Sequence, residues 1–499
     1  MESDYTYNNV TYKIKTKIGG TSTTITVYDA TGNEIFQTNP IAVAVTVDKI
    51  LAGQMKILDP LKDLYAKYST IPFNPNNKED IGALGSFVLT DLLGGYVSVS
   101  RDANNADVWK YVDESLGGKV AKLLPACWKN ADKVKLAYEA TGKTFDIRNN
   151  DCSGFVTYYG KVELNKEMVS DYTKNGVRYK STYNLLTGLL TVVDGNGDLV
   201  YEYDKGATTV DRILSSMIAV APDVISLFDD LNAKGLVDAR FDINNPDHAS
   251  FLQELAYINE TGKLWYRDAH SGVWDFKQYS KLENHGGELA NNLSIILPEI
   301  LGLYESFEKA GLRDVEFKFG EENCMGLWMN FAVVNMIGEM RYKYSYADAD
   351  GNSHTYDVVT ILSDPQNPGF GKVTMTDENG VIIEYKIPAT TVKEIISSEA
   401  NVVQDLVDFY GLFNETYNPY NSDDSGMLSY WESVDRTGLL ISIENGEAET
   451  VEVPQLKGNV KELFVNIDQI LDSANMFYVK DFSIKNSDDM GELTLWGLV

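Results

Sequence analysis

The sequence predicts an α+β protein: three tandem two-part modules, or six related units of roughly 80 residues, with antiparallel sheets and helices packed on one face. Three observations predict it. A strand–turn–strand pattern followed by a helix start occurs three times. Apolar residues then recur at helical spacing. A Phe-to-Gly stretch of constant length closes the second half of each module.

The hairpins come first in each module. They are Ile25-Thr-Val-Tyr-Asp-Ala-Thr-Gly-Asn-Glu-Ile-Phe36, Val192-Val-Asp-Gly-Asn-Gly-Asp-Leu-Val-Tyr-Glu-Tyr203 and Val373-Thr-Met-Thr-Asp-Glu-Asn-Gly-Val-Ile-Ile-Glu-Tyr385. Alternating β-branched residues around Gly and Asn are the chemistry of a tight turn needing positive φ. The helix starts follow at Thr46-Val, Thr209-Val and Thr391-Val, with Thr as the cap. Val210, Ile213, Leu214, Met217 and Ile218 keep to one helical face. Equivalent helices are expected over 46–68, 116–140, 287–310, 390–411 and 458–474.

A second family of turns includes Val97 to Trp109, Leu264 to Trp274 and Leu440 to Glu447. Closing stretches run Phe145 to Gly154, Phe317 to Gly326 and Phe482 to Gly491, and shorter relatives start at Phe73, Phe241 and Tyr417. Each is expected to be a strand, an Asn/Asp-rich turn and a second strand such as Gly154 to Leu164. Gly82, Gly85, Gly94 and Gly95 are expected at strand entries. The modules span 1–167, 168–339 and 340–499, with a polar excursion over 346–371 in the last.

The turn Asp194-Gly-Asn-Gly-Asp198 spaces oxygen ligands as a calcium loop does. An EF-type loop needs Gly at its sixth position and Glu at its twelfth, where this chain has Leu199 and Lys205. Asp348-Ala-Asp-Gly-Asn352 fails in the same way, with Ser353 and Val359. The related turns at Asp29 and Asp377 replace the ligand positions by Thr31, Asn33, Asn379 and Val381. A hairpin turn is therefore expected, and no metal-binding residue is nominated.

Cys127, Cys152 and Cys324 are too few for a disulfide framework or a zinc site. Cys152 and Cys324 occupy equivalent places, with Asp489 in the third copy, and are expected to be half-buried turn thiols. His248, His270, His285 and His354 are scattered and expected at the surface. No nucleophile elbow, phosphate loop or dinucleotide fingerprint occurs, so no catalytic or cofactor-binding residue is nominated and no cofactor is expected.

A net charge of −30 opposes nonspecific binding to nucleic acid or anionic lipid. Thirty tyrosines suggest a strand-rich protein with half-buried Tyr on its sheets. No signal peptide or membrane-length apolar run is visible, so virion, cytoplasm or a mature extracellular form are all open.

The expected function is non-catalytic: a structural protein that self-associates or docks into a larger particle, such as a virion component or surface layer. Protein partners are expected, and membrane insertion is not. A sliding-clamp-like ring on DNA is the alternative, with Lys49, Lys56, Lys62, Lys67, Lys119, Lys122, Lys129, Lys133 and Lys135 as its cationic helices. A second alternative is a glycan- or protein-binding adhesin using Trp109, Trp265 and Trp274.

Overall fold

The computed structural model describes every residue except 8–9, 102–106, 114–115, 175–176, 268–273, 313–314, 348–352, 445–446, 478–481, 485–486 and 499. The order of elements is four strands, two helices, two strands, two helices, and it runs three times. The first pass holds β1 (Glu2–Tyr7), β2 (Val10–Ile18), β3 (Thr23–Tyr28), β4 (Glu34–Gln37), α1 (Val47–Tyr68) and α2 (Lys78–Leu93). It ends with β5 (Gly95–Arg101), β6 (Asp107–Asp113), α3 (Val120–Glu139) and α4 (Asn150–Asn165).

The second pass holds β7 (Glu167–Lys174), β8 (Val177–Asn184), β9 (Leu189–Asp194), β10 (Leu199–Asp204), α5 (Val210–Ala233) and α6 (Pro246–Thr261). After it come β11 (Lys263–Arg267), β12 (Trp274–Gln278), α7 (Gly286–Lys309) and α8 (Glu322–Ile337). The third holds β13 (Glu339–Ala347), β14 (Ser353–Ile361), β15 (Phe370–Asp377), β16 (Ile382–Pro388), α9 (Val392–Leu412) and α10 (Ser422–Thr437). Last are β17 (Leu439–Glu444), β18 (Glu447–Glu452), α11 (Val460–Phe477) and α12 (Ser487–Gly497).

Each group of four strands is an antiparallel meander, and each group of two is a hairpin. The class is therefore α+β with several small antiparallel sheets. Helix outweighs strand, 51% to 22%, which corrects the strand-rich expectation drawn from Tyr content. Among the described residues, no helix is long and apolar enough to cross a membrane.

The chain divides into two compact units. One is Met1–Pro222 with Asp242–Glu260, and the other is Asp223–Phe241 with Thr261–Val499. The division passes through α5 at Pro222.

The long helices form where apolar spacing predicts them. In α5 the buried face is Val210, Ile213, Leu214, Met217, Val220, Ala221, Val224, Leu227 and Phe228. Helix α9 repeats the same spacing from Val392 to Tyr410 and opens with a full capping box between Thr391 and Glu394. Sheet cores form on single faces, as with Tyr356, Val358, Val373, Met375, Ile383 and Ile387 on β14 to β16.

The second helices are the main correction. Gly154 to Leu164 is not a strand but most of α4, and Phe145 to Ile147 is irregular chain. The Asn-rich stretch before it is a helix cap: Asn149 Oδ1 accepts the Asp151 N–H at 2.8 Å. Cys152, Val156, Tyr159 and Val162 are buried at helical spacing, a period hidden by their aromatic and β-branched neighbours. Gly82 and Gly85 lie inside α2 rather than at a strand entry, and Gly94 is its left-handed C-cap. Only Gly95 begins a strand.

Candidate functional site

The Asp194 turn has a definite answer. Asp194 Oδ1 accepts the N–H groups of Asn196 (2.8 Å) and Asp198 (3.0 Å). Asp29 does the same with Thr31 (2.9 Å) and Asn33 (2.8 Å). Asp377 does so with Asn379 (2.9 Å) and Val381 (2.6 Å). In all three a glycine three residues on has positive φ: Gly32, Gly197 and Gly380. One Asp oxygen thus folds each hairpin tip. The Thr31 hydroxyl and the Asn33 N–H hold Asp29 down at about 2, and the N–H donors hold Asp194 and Asp377 below the usual range. Asp348 to Asn352 lie outside the described residues.

The reactive residue types gather at a different repeated place. Seven residues after each closing aromatic stands Asp80, Cys152, His248, Cys324, Asp424 or Asp489. All six are buried near the start of the second helix. Each accepts a hydrogen bond from the backbone N–H just after the aromatic. Asn74 donates to Asp80 at 2.6 Å, Asp242 to His248 Nδ1 at 3.0 Å and Lys318 to Cys324 Sγ at 3.5 Å. Asn418 donates to Asp424 and Ser483 to Asp489, both at 2.9 Å, and Asp146 donates to Cys152. The two thiols also donate, to the carbonyls of Thr144 and Glu316.

An aromatic pair accompanies this contact. The closing ring meets a ring near the end of the long helix, edge-on, as Tyr65–Phe73, Tyr138–Phe145, Phe228–Phe241, Tyr304–Phe317 and Tyr410–Tyr417. Charge is compensated locally: Arg148 pairs with Asp80, and the Tyr410 hydroxyl donates to Asp424 at 3.0 Å. Burial pushes both thiols up and the His248 imidazole down, so these three groups are neutral acceptors near pH 7.

Cys152 and Cys324 are therefore fully buried helical residues, not half-buried turn thiols, because the helix begins earlier than the Asn-rich sequence suggests. His248 is buried in α6, not at the surface. His285 is at the exposed N-terminus of α7, His354 is in β14, and His270 is outside the described residues. Cys127 is buried in α3, its thiol pushed up to about 12 by desolvation.

Two long helices have a polar eighth residue. It is Cys127, Met217, Leu293 or Ile467 in four helices, the half-buried Gln54 in α1, and the buried Glu399 in α9. The second helix has Val88, Gly160, Ala256 and Ala332 eight residues after the buried acceptor, but Glu432 in α10. Both carboxyls are buried. Desolvation and then the Glu432 charge raise Glu399 to about 8, against a hydrogen bond from the Ser429 hydroxyl at 3.0 Å. Desolvation raises Glu432 to about 7, opposed by Arg436 at 3.3 Å. Tyr417, with its ring against Tyr410, has its hydroxyl buried without a hydrogen-bond partner. This pair can take up and release protons near neutrality. Its burial gives no approach for a substrate. Nothing in the sequence pattern of carboxylates singles it out; comparing equivalent positions does.

Among the described residues, no group of His, Cys, Asp or Glu has the arrangement to hold a metal ion. Trp109 is buried against the edges of Tyr5 and Tyr12. The side chains of Trp265 and Trp274 lie outside the description. No family model matches the chain, and no curated protein or solved structure matches it.

Replacing His248 by Leu should cost about 1–3 kcal/mol, because the Asp242 N–H loses its acceptor. His248→Asn should recover most of that loss, since it restores a neutral acceptor beside Asp242 and Asp247. Denaturant titration of the three proteins measures both.

A carboxyl raised in the folded state binds more protons folded than unfolded between its two pKa values. Stability is then lost as pH rises from about 4.5 to about 8. Glu399→Gln should match the parent at pH 4.5 and exceed it at pH 9 by on the order of 2–4 kcal/mol. Thermal melts of both proteins across that range give the comparison.

Proposed function

We propose that this chain is a non-catalytic assembly protein, built from repeated α+β modules near 1–167, 168–339 and 340–499, that self-associates or docks into a larger particle. A virion component or surface-layer scaffold is the kind of role meant. The observation that carries the reading is the sixfold buried acceptor. Asp, Cys and His, the residue types from which active sites are usually made, here serve one backbone contact at six equivalent places. Repetition of that kind builds a scaffold that offers like surfaces at intervals.

The outer strands add to it. Strands β4, β10 and β16 each end their four-stranded sheet, and each has exposed apolar residues on or beside it: Ile35, Leu199, Val200, Val381 and Ile382. An edge strand with apolar side chains in water is a template for another chain.

The clamp reading draws less support. Of its lysines, Lys56, Lys67, Lys129, Lys133 and Lys135 are tied to Asp91, Asp132, Glu163, Asp211 and Glu139. A cation already paired within its own chain gives little to a phosphate. The buried Trp109 likewise serves packing rather than glycan stacking.

Sedimentation and negative stain of the purified chain and of native extract test the proposal. Species larger than the 55.6 kDa chain, formed alone or on a particle, are expected. A monodisperse monomer at every concentration, found on no particle, would sink it. Closed rings that retain duplex DNA would favour the clamp.

A further inference from the structure

The long helices meet by a repeated contact. In the first compact unit, Lys133, the fourteenth residue of α3, pairs with Asp211, the second residue of α5, at 2.6 Å. In the second unit, Glu299 of α7 pairs with Lys393 of α9 at 2.8 Å, and Asp405 of α9 with Lys461 of α11 at 3.0 Å. Asp223 of α5 packs against Gly287 of α7. All four contacts join the fourteenth residue of one long helix to the second residue of the next. Between α9 and α11 the rings of Phe409 and Phe464 also stack, 4.3 Å apart. Two contacts that advance together along both helices make the pair parallel, with a stagger of about three turns.

This packing covers the start of the following helix. The first residue is buried in five of the six long helices: Val120, Val210, Gly286, Val392 and Val460. So is the fifth: Leu124, Leu214, Ala290, Ile396 and Phe464. Helix α1 is the exception. Val47 is 69% exposed and Leu51 51%, and Met55, one turn further on the same face, is 76% exposed. The sequence at this start, Thr46-Val-Asp-Lys-Ile-Leu, is that of α5, Thr209-Val-Asp-Arg-Ile-Leu, where the same positions are buried. The residues are those of a covered helix start, and α1 is the first long helix in the sequence.

We infer that the open start of α1, Val47, Leu51 and Met55, is covered by the α11 end of a second copy of this chain, in head-to-tail contact. The chain itself shows what covers this kind of surface: the outer half of another of its long helices. The last of these, α11, has no later long helix on it among the described residues, and its fourteenth residue, Ser473, is exposed beside Asp472. Across the new contact Ser473 would face Asp48 as the fourteenth and second residues do within the chain. The Ser473 hydroxyl already donates to the Gln469 carbonyl and Lys56 pairs with Asp91, so the apolar Val47, Leu51 and Met55 carry the contact. A head-to-tail contact of this type extends to filaments or closes to rings. The inference rests on the assembly reading and places its contact.

Two measurements on the full chain test it. Sedimentation across a wide concentration range should show association by the parent. Leu51→Glu with Met55→Glu should weaken that association at least tenfold while circular dichroism and melting stay unchanged. In parallel, Asp48→Cys with Ser473→Cys should give a ladder of disulfide-linked multimers under oxidation. Glu299→Cys with Lys393→Cys, the same contact inside one chain, should close without a ladder. If the folded double Glu variant associates as the parent does, the α1 contact is wrong and the assembly reading stands. A parent that never associates overturns the contact as well. So does an Asp48→Cys, Ser473→Cys chain that stays monomeric while the internal control closes.

Discussion

The backbone N–H after each closing aromatic is the constraint on which the rest depends. It lies in irregular chain between two helices, where no ladder can take it. A partly buried N–H that loses water needs another acceptor, and a side chain from the next helix reaches back to supply it. Asp80, Cys152, His248, Cys324, Asp424 and Asp489 all do this. Three chemistries meet one need because the need is only for a lone pair at the right place. The bond fixes the angle at which the second helix leaves, and the edge-on aromatic pair beside it fixes the end of the first.

With that corner set, the faces of the helices follow. The long helix buries one apolar stripe, and the second helix crosses it near the second turn: at the eighth residue, Cys127, in α3 and at the seventh, Gly53, in α1. Where the crossing is close, as at Cys127 and Gly160, the second helix must have glycine, since a Cβ would run into the sulfur. At Glu399 and Glu432 the same crossing holds two carboxyls, which makes it the joint of the set that responds to protons near neutrality. The outer halves of α3, α5, α7 and α9 then each receive the next long helix, which is why the bare start of α1 stands out.

Much of the fold was legible in the sequence. The hairpin tips were readable because Asp, a positive-φ glycine and flanking β-branched residues leave few alternatives. The first helices were readable from Val210 to Phe228 and their equivalents, whose spacing admits only a helix. The second helices were not. Phe155, Val156, Tyr158 and Tyr159 have strand-like composition, and Asn149 and its neighbours resemble turn residues while acting as a cap. Propensity and period conflicted, and packing against the long helix decided for period. The buried acceptors were half visible. Cys152, Cys324 and Asp489 fall into line in the longer closing stretches, but the shorter ones at Phe73, Phe241 and Tyr417 hid Asp80, His248 and Asp424. Counting seven residues from each aromatic would have shown all six.

Hydrogen exchange tests the central constraint most directly, at the amides of Asn74, Asp146, Asp242, Lys318, Asn418 and Ser483. The account predicts that these six are protected to the level of the helices that follow them, although they sit in irregular chain. Exchange at the rate of exposed loop amides at these positions would contradict it.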